Sequence, residues 1–145
     1  MKLSDVWFTA LSEDNNGKMF VVKGRDELGD FVNSGKYHDR AEVTWKYEAD
    51  PKGMPSEHEA EQMENVQTVL QKAMEKDKLS IMTAVYTGNG EKIFVFYTRN
   101  VRVFGERLNE ALEPFEQLPL SIYTEVDPEW GEYLDMYEMK QWAVE

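Results

Sequence analysis

Residues 79–98, LSIMTAVYTGNGEKIFVFYT, constrain this chain more than any other stretch. Two apolar runs meet at Gly88-Asn89-Gly90, residues that accept positive φ and so join two strands in a tight hairpin. Ile93, Val95 and Tyr97 point to one side of the second run, and Phe94 and Phe96 to the other. A strand that is apolar on both sides must be covered front and back. The hairpin therefore belongs to a sheet that needs cover on both faces.

The flanking segments supply part of that cover. Ser56 and Glu59 form a capping box, and Ala60, Met63, Val66, Leu70, Ala73 and Met74 then recur at helical spacing to about Lys76. After the hairpin, Val101–Glu113 carries Val103, Phe104, Leu108, Ala111 and Leu112 on one helical face, and Pro114 and Pro119 bracket its exit. Residues 41–48, AEVTWKYE, alternate with Val43, Trp45 and Tyr47 on one side, and 120–126, LSIYTEV, read as a last core strand. Upstream, strands are expected at Asp5–Leu11 and Lys18–Val22 around the reversal Asp14-Asn15-Asn16-Gly17, then a short helix to about Asn33. Asp127-Pro128 reads as N-cap and first position of a terminal helix through residue 145.

From residue 41 the order is strand, helix, strand, strand, helix, strand. That is the split βαβ pattern of an α+β, ferredoxin-like fold. Right-handed crossovers place 41–48 and 91–98 in the middle of its sheet. The chain of 145 residues is read as one domain: an N-terminal β-hairpin and short helix (1–40), a βαββαβ core (41–126) and an acidic aromatic helix (127–145). Two helices shield one face of such a sheet. The second face calls for the hairpin and terminal helix to fold over it, or else for a second subunit, as in a homodimer.

Sixteen Lys and Arg against 28 Asp and Glu give a net charge of −12. A field of that sign repels phosphate backbones and anionic membranes, so neither nucleic acid nor membrane is expected as a partner, whereas a basic protein is. Phe94-Val95-Phe96-Tyr97 imitates the end of an RNA-stacking motif, but Gly90-Glu91-Lys92-Ile93 lacks its basic and Gly-Phe-Gly beginning. Cysteine is absent, and the first residues lack the apolar core of a signal peptide, so a cytoplasmic protein is expected.

No catalytic, cofactor or metal motif stands out. His38 and His58 have no second His at helical spacing, no G-x-S-x-G occurs, and Gly88-Asn89-Gly90 lacks the lysine and helix of a phosphate loop. The candidate binding residues come from position. Arg25, Arg40 and Arg99 sit at strand ends, where they would line a cleft for an anion or carboxylate if they converged. Trp45 and Tyr97 load the sheet, and Asp127, Trp130 and Tyr133 open an acidic aromatic segment suited to a protein contact.

Several strings taken in order resemble a known family. They are Gly24-Arg25-Asp26-Glu27, Val43-Thr44-Trp45-Lys46-Tyr47, Gly53-Met54-Pro55, Tyr86-Thr87-Gly88, Phe96-Tyr97-Thr98-Arg99, Leu108-Asn109 and Asp127-Pro128-Glu129-Trp130. Their order and spacing resemble the bacterial domain of unknown function 695 over nearly the whole chain, a family with no established activity from which catalytic residues could be carried over. Asp127-Pro128-Glu129-Trp130 with Tyr133 is similar in character to the protein regulator of ribonuclease E activity, which implies binding and inhibition of another protein. Function is accordingly expected to be interaction or regulation without catalysis, with a small-molecule binder or enzyme as the competing class.

Overall fold

The computed structural model describes residues 2–13 and 15–144. Asp14 of the expected reversal lies outside the described residues, as do Met1 and Glu145 at the ends of the expected domain. Among the described residues the chain is α+β, with a six-stranded antiparallel sheet and four α-helices. In chain order these are β1 (Trp7–Glu13), β2 (Met19–Arg25), α1 (Gly29–Asn33), β3 (Asp39–Lys46), α2 (Glu57–Glu75), β4 (Ser80–Gly88), β5 (Glu91–Thr98), α3 (Val101–Leu112), β6 (Leu120–Val126) and α4 (Gly131–Tyr137).

The predicted hairpin is β4–β5. Its turn holds Asn89 at φ 52° and Gly90 at φ 82°, the paired positive values of a two-residue turn matched to strand twist. The sheet runs β1-β2-β4-β5-β3-β6. The N-terminal hairpin thus extends the sheet beyond β4, and β4–β5 become its middle pair. β1 and β2 run to Glu13 and Arg25, further than their sequence windows, because β2 pairs with both β1 and β4. β3 begins at Asp39 and ends at Lys46, two residues early, because the Tyr47 N–H donates instead to Gly90 O at 2.9 Å in the turn.

Helices cover both faces. On one, Met63, Val66, Leu70 and Met74 of α2 and Phe104 and Leu108 of α3 pack on Val43, Trp45, Phe94 and Phe96. Ser56 caps α2 as predicted, its Oγ accepting from the Glu59 N–H at 3.2 Å. On the other face, Leu28 and Phe31 around α1 and Trp130, Tyr133 and Met136 around α4 pack on Val22, Ile81, Val95 and Tyr97. The lid of the second face is therefore intramolecular. Gly24 permits it: a Cβ there would lie 2.4 Å from the Phe8 ring and 2.5 Å from Met136 Sδ.

The terminal helix departs from its sequence reading. Asp127-Pro128-Glu129-Trp130 makes a turn, closed by the Trp130 N–H on Asp127 O at 3.1 Å. Trp130 takes φ 57°, so α4 starts at Gly131, and a 3-10 turn replaces the helix from Glu138 to Trp142. Burial explains the left-handed residue. Trp130 is 1% exposed, and sealing so large a side chain is worth about 1.5–3 kcal/mol, comparable to the roughly 1–2 kcal/mol of αL strain. The indole N–H also donates to Tyr37 O at 2.8 Å.

Candidate functional site

Strand alternation turns Arg40 and Glu42 of β3 toward the α4 side of the sheet, away from Ala41 and Val43. In the β3–β6 register Arg40 faces Glu125. The loop after β6 brings Asp127 back over the same spot. The Arg40 guanidinium consequently meets three carboxylates: Glu42 at 2.8 Å, Glu125 at 2.6 Å and Asp127 at 2.9 Å. Burial by itself would lower the Arg40 pKa, but the hydrogen bonds from Asp127, Glu125 and Glu42 outweigh it and hold the guanidinium well above its ordinary value. One cation against three anions leaves this cluster net negative.

Asp127 is the joint between cluster and lid. Its Oδ2 accepts from Tyr97 Oη at 2.7 Å, and its Oδ1 accepts from the Gly131 N–H at 3.0 Å. The Glu132 N–H donates to Oδ2 at 3.3 Å. Burial pushes this carboxyl upward, yet the bonds from Tyr97, from the Gly131 and Glu132 backbone and from Arg40 together keep it below the usual carboxylate value. Asp127 thus accepts from the first two N–H groups of α4, but the N-cap position expected for it is taken by Trp130, three residues later. Tyr97 stacks on Trp130 with centroids 4.2 Å apart, and its oxygen accepts from the Tyr133 N–H at 3.2 Å.

Glu132, which sequence reasoning missed, sits just inside. Tyr86 Oη donates to its Oε1, while Oε2 is buried without a partner among the described residues. Burial raises the Glu132 carboxyl above its ordinary value despite the Tyr86 bond. Glu42, Glu125 and Tyr86 were missed for the same reason: nothing marks four partners among 28 acids and seven tyrosines. Glu42 alone left a trace, two residues from Arg40 in an alternating strand.

The eight predicted residues separate into groups. Arg40, Tyr97, Asp127, Trp130 and Tyr133 come together, but Trp130 and Tyr133 are interior rather than a contact surface, at 1% and 3% exposure. Trp45 lies in the opposite core against α2 and α3, its indole nitrogen without a partner among the described residues. Arg25 is on that opposite face too, buried, held by Glu75 at 2.6 Å and Met82 O at 3.0 Å, and 5.0 Å over the Trp7 ring. Arg99 is exposed at the end of β5. The three arginines therefore do not converge on one cleft. Phe94, Val95, Phe96 and Tyr97 are all buried, which leaves no platform for bases. No group of three or more metal-ligating side chains occurs among the described residues.

What the cluster borders is an open edge. From Ser121 to Val126 every residue of β6 is exposed, including Ile122, Tyr123 and Val126. Tyr86, Tyr97, Asp127 and Trp130 of this frame fall in three of the seven strings quoted above. The chain belongs to the DUF695 family of unknown function. Residues 5–137 match the family's model, which spans the whole sheet, all four helices and the cluster. No curated protein and no solved structure matches the chain, so the fainter resemblance to the protein regulator of ribonuclease E activity has no support there. No helix among the described residues is long and apolar enough to cross a membrane.

Proposed function

We propose that this DUF695 protein is a non-catalytic interaction domain, cytoplasmic in setting, that takes a basic protein partner on the acidic face beside β6. The observation that carries the reading is the excess of carboxylate around Arg40, where Glu125 keeps half its side chain in solvent next to exposed Tyr123. The net charge of −12 would steer a cationic partner to that face and speed its capture at low salt. The aromatic contact comes from Tyr123 of β6, because the aromatics of α4 are used in the lid. We also read residues 39–126 as a ferredoxin-like unit carrying an N-terminal extension. Its support is the neighbour order β4-β5-β3-β6, with α2 and α3 sharing one face.

Titration with a lysine-rich peptide tests the function. Binding is expected at low ionic strength, weakening as salt screens charges beyond about 10 Å. Replacing Glu42 and Glu125 together with Gln should weaken it about tenfold, since each exposed charge contact is worth roughly 0.2–1 kcal/mol. Binding that ignores both salt and the double substitution would sink the reading.

A further inference from the structure

The two edges of the sheet are treated differently. β1 is partly covered by residues 143 and 144: Ala143 bridges Ala10, and the Val144 N–H donates to Thr9 O at 2.7 Å. Among the described residues β6 has no such cover, and its ladder with β3 is continuous from Leu120 to Val126 without a bulge. Nor does LSIYTEV contain the Lys or Pro that usually blunts an exposed edge.

The ladder also fixes which backbone groups are free. In an antiparallel pair, residues that bond inward alternate with residues whose N–H and C=O point outward. The Asp127 N–H donates to His38 O at 2.8 Å, and the Lys46 N–H donates to Pro119 O at 3.2 Å. Odd-numbered residues therefore bond to β3. Ile122, Thr124 and Val126 turn a donor and an acceptor each to the open side.

Side chains beside this row differ by face. Tyr123 and Glu125 lie on the face of Arg40 and Glu42. Ile122 and Leu120 lie on the other, closing a mainly apolar groove with Leu108, Leu112, Phe115 and Leu118, whose lining also includes Asn109, Glu116 and Gln117. A strand laid along β6 would thus set alternate residues against carboxylates and against this groove.

We propose that β6 is a docking strand, and that its occupant is an extended segment of a partner protein with basic and apolar residues alternating. This rests on the interaction reading above and specifies its geometry: backbone pairing supplies affinity, and the two faces supply selectivity. A second copy of this chain fits poorly, because self-pairing joins two edges bearing Glu125 on molecules of charge −12.

The probe is a labelled, capped heptapeptide of alternating Lys and Val, with a peptide of the same composition in two blocks as control. Thr124→Pro deletes one outward N–H and leaves the β3 ladder intact, as proline is tolerated at such edge positions. The alternating peptide should bind the wild type at low salt, the block peptide at least about tenfold more weakly, and Thr124→Pro about tenfold more weakly than wild type. Amide hydrogen exchange on the unaltered protein provides a second readout. Ile122, Thr124 and Val126 should gain protection on saturation, while Tyr123 and Glu125 are protected already. Equal binding of both peptides, or no gain at the three even-numbered amides, overturns strand docking. If that binding stays salt-sensitive and falls with Glu42→Gln and Glu125→Gln, the acidic-face reading survives alone. If neither peptide binds at low salt, both readings fall, and peptide-free protection at those amides with a doubled molecular mass assigns the edge to a second copy.

Discussion

Asp127 and Glu132 sit five residues apart in one lid and respond to acid in opposite senses. Asp127 has its folded pKa lowered, so the stability it contributes is present above its ordinary value of 3.8 and is lost as pH falls through the folded value. Asp127→Asn should cost about 1.5–3 kcal/mol near neutral pH, the range for a hydrogen bond to a charged group, and the gap to wild type should close in acid. Urea titrations at about pH 7 and about pH 3 would read this directly. Glu132 has its folded pKa raised, so its contribution is greatest below its ordinary value of 4.5 and declines as pH rises through the folded value. Glu132→Gln should therefore raise Tm near neutral pH and leave it almost unchanged in acid. An equal change at both pH values would show that the buried carboxyl is not the cause.

At the scale of elements, α4 is too short to hold itself together and depends on what it buries. Trp130→Ala removes a side chain packed on Tyr97, Tyr37 and Tyr133, and leaves the Tyr37 carbonyl without its donor. A loss of about 3–5 kcal/mol in denaturant unfolding is expected. Exposure of the second sheet face should follow, seen as binding of a hydrophobic dye. The β4–β5 turn makes a smaller demand. Asn89 tolerates φ 52°, whereas Asn89→Val puts a β-branched residue there and should cost about 1–2 kcal/mol. A Tm equal to wild type would argue against the positive-φ turn.

The whole molecule is expected to be a monomer at micromolar concentration. Its sheet is covered on both faces by its own helices, one edge is partly covered by residues 143 and 144, and like charge separates the copies. Light scattering at low and at moderate salt should give the same monomeric mass. A dimer that persists at low salt, where repulsion is strongest, would mean that an apolar or backbone contact between copies outweighs it.

Periodicity and turn chemistry made much of the fold legible, because these act within a few residues. The β4–β5 hairpin, the Ser56 cap and both amphipathic helices all belong to this class. The same local reasoning placed Arg40 at a strand end and Asp127 at a helix start, and both are at the centre of the cluster. It left Trp130 and Tyr133 open to two readings, cover for the sheet or contact for a partner, since a stripe of aromatics looks alike whether it meets a partner or its own sheet. Only tertiary structure decided that question, through Gly24 making room and Trp130 adopting a left-handed conformation to reach Tyr97. It likewise decided which of 28 acids surround Arg40, because β3–β6 register joins residues 85 apart in the chain. Local sequence determines which elements form. Long-range pairing determines which faces remain for another molecule, and here it left the edge of β6.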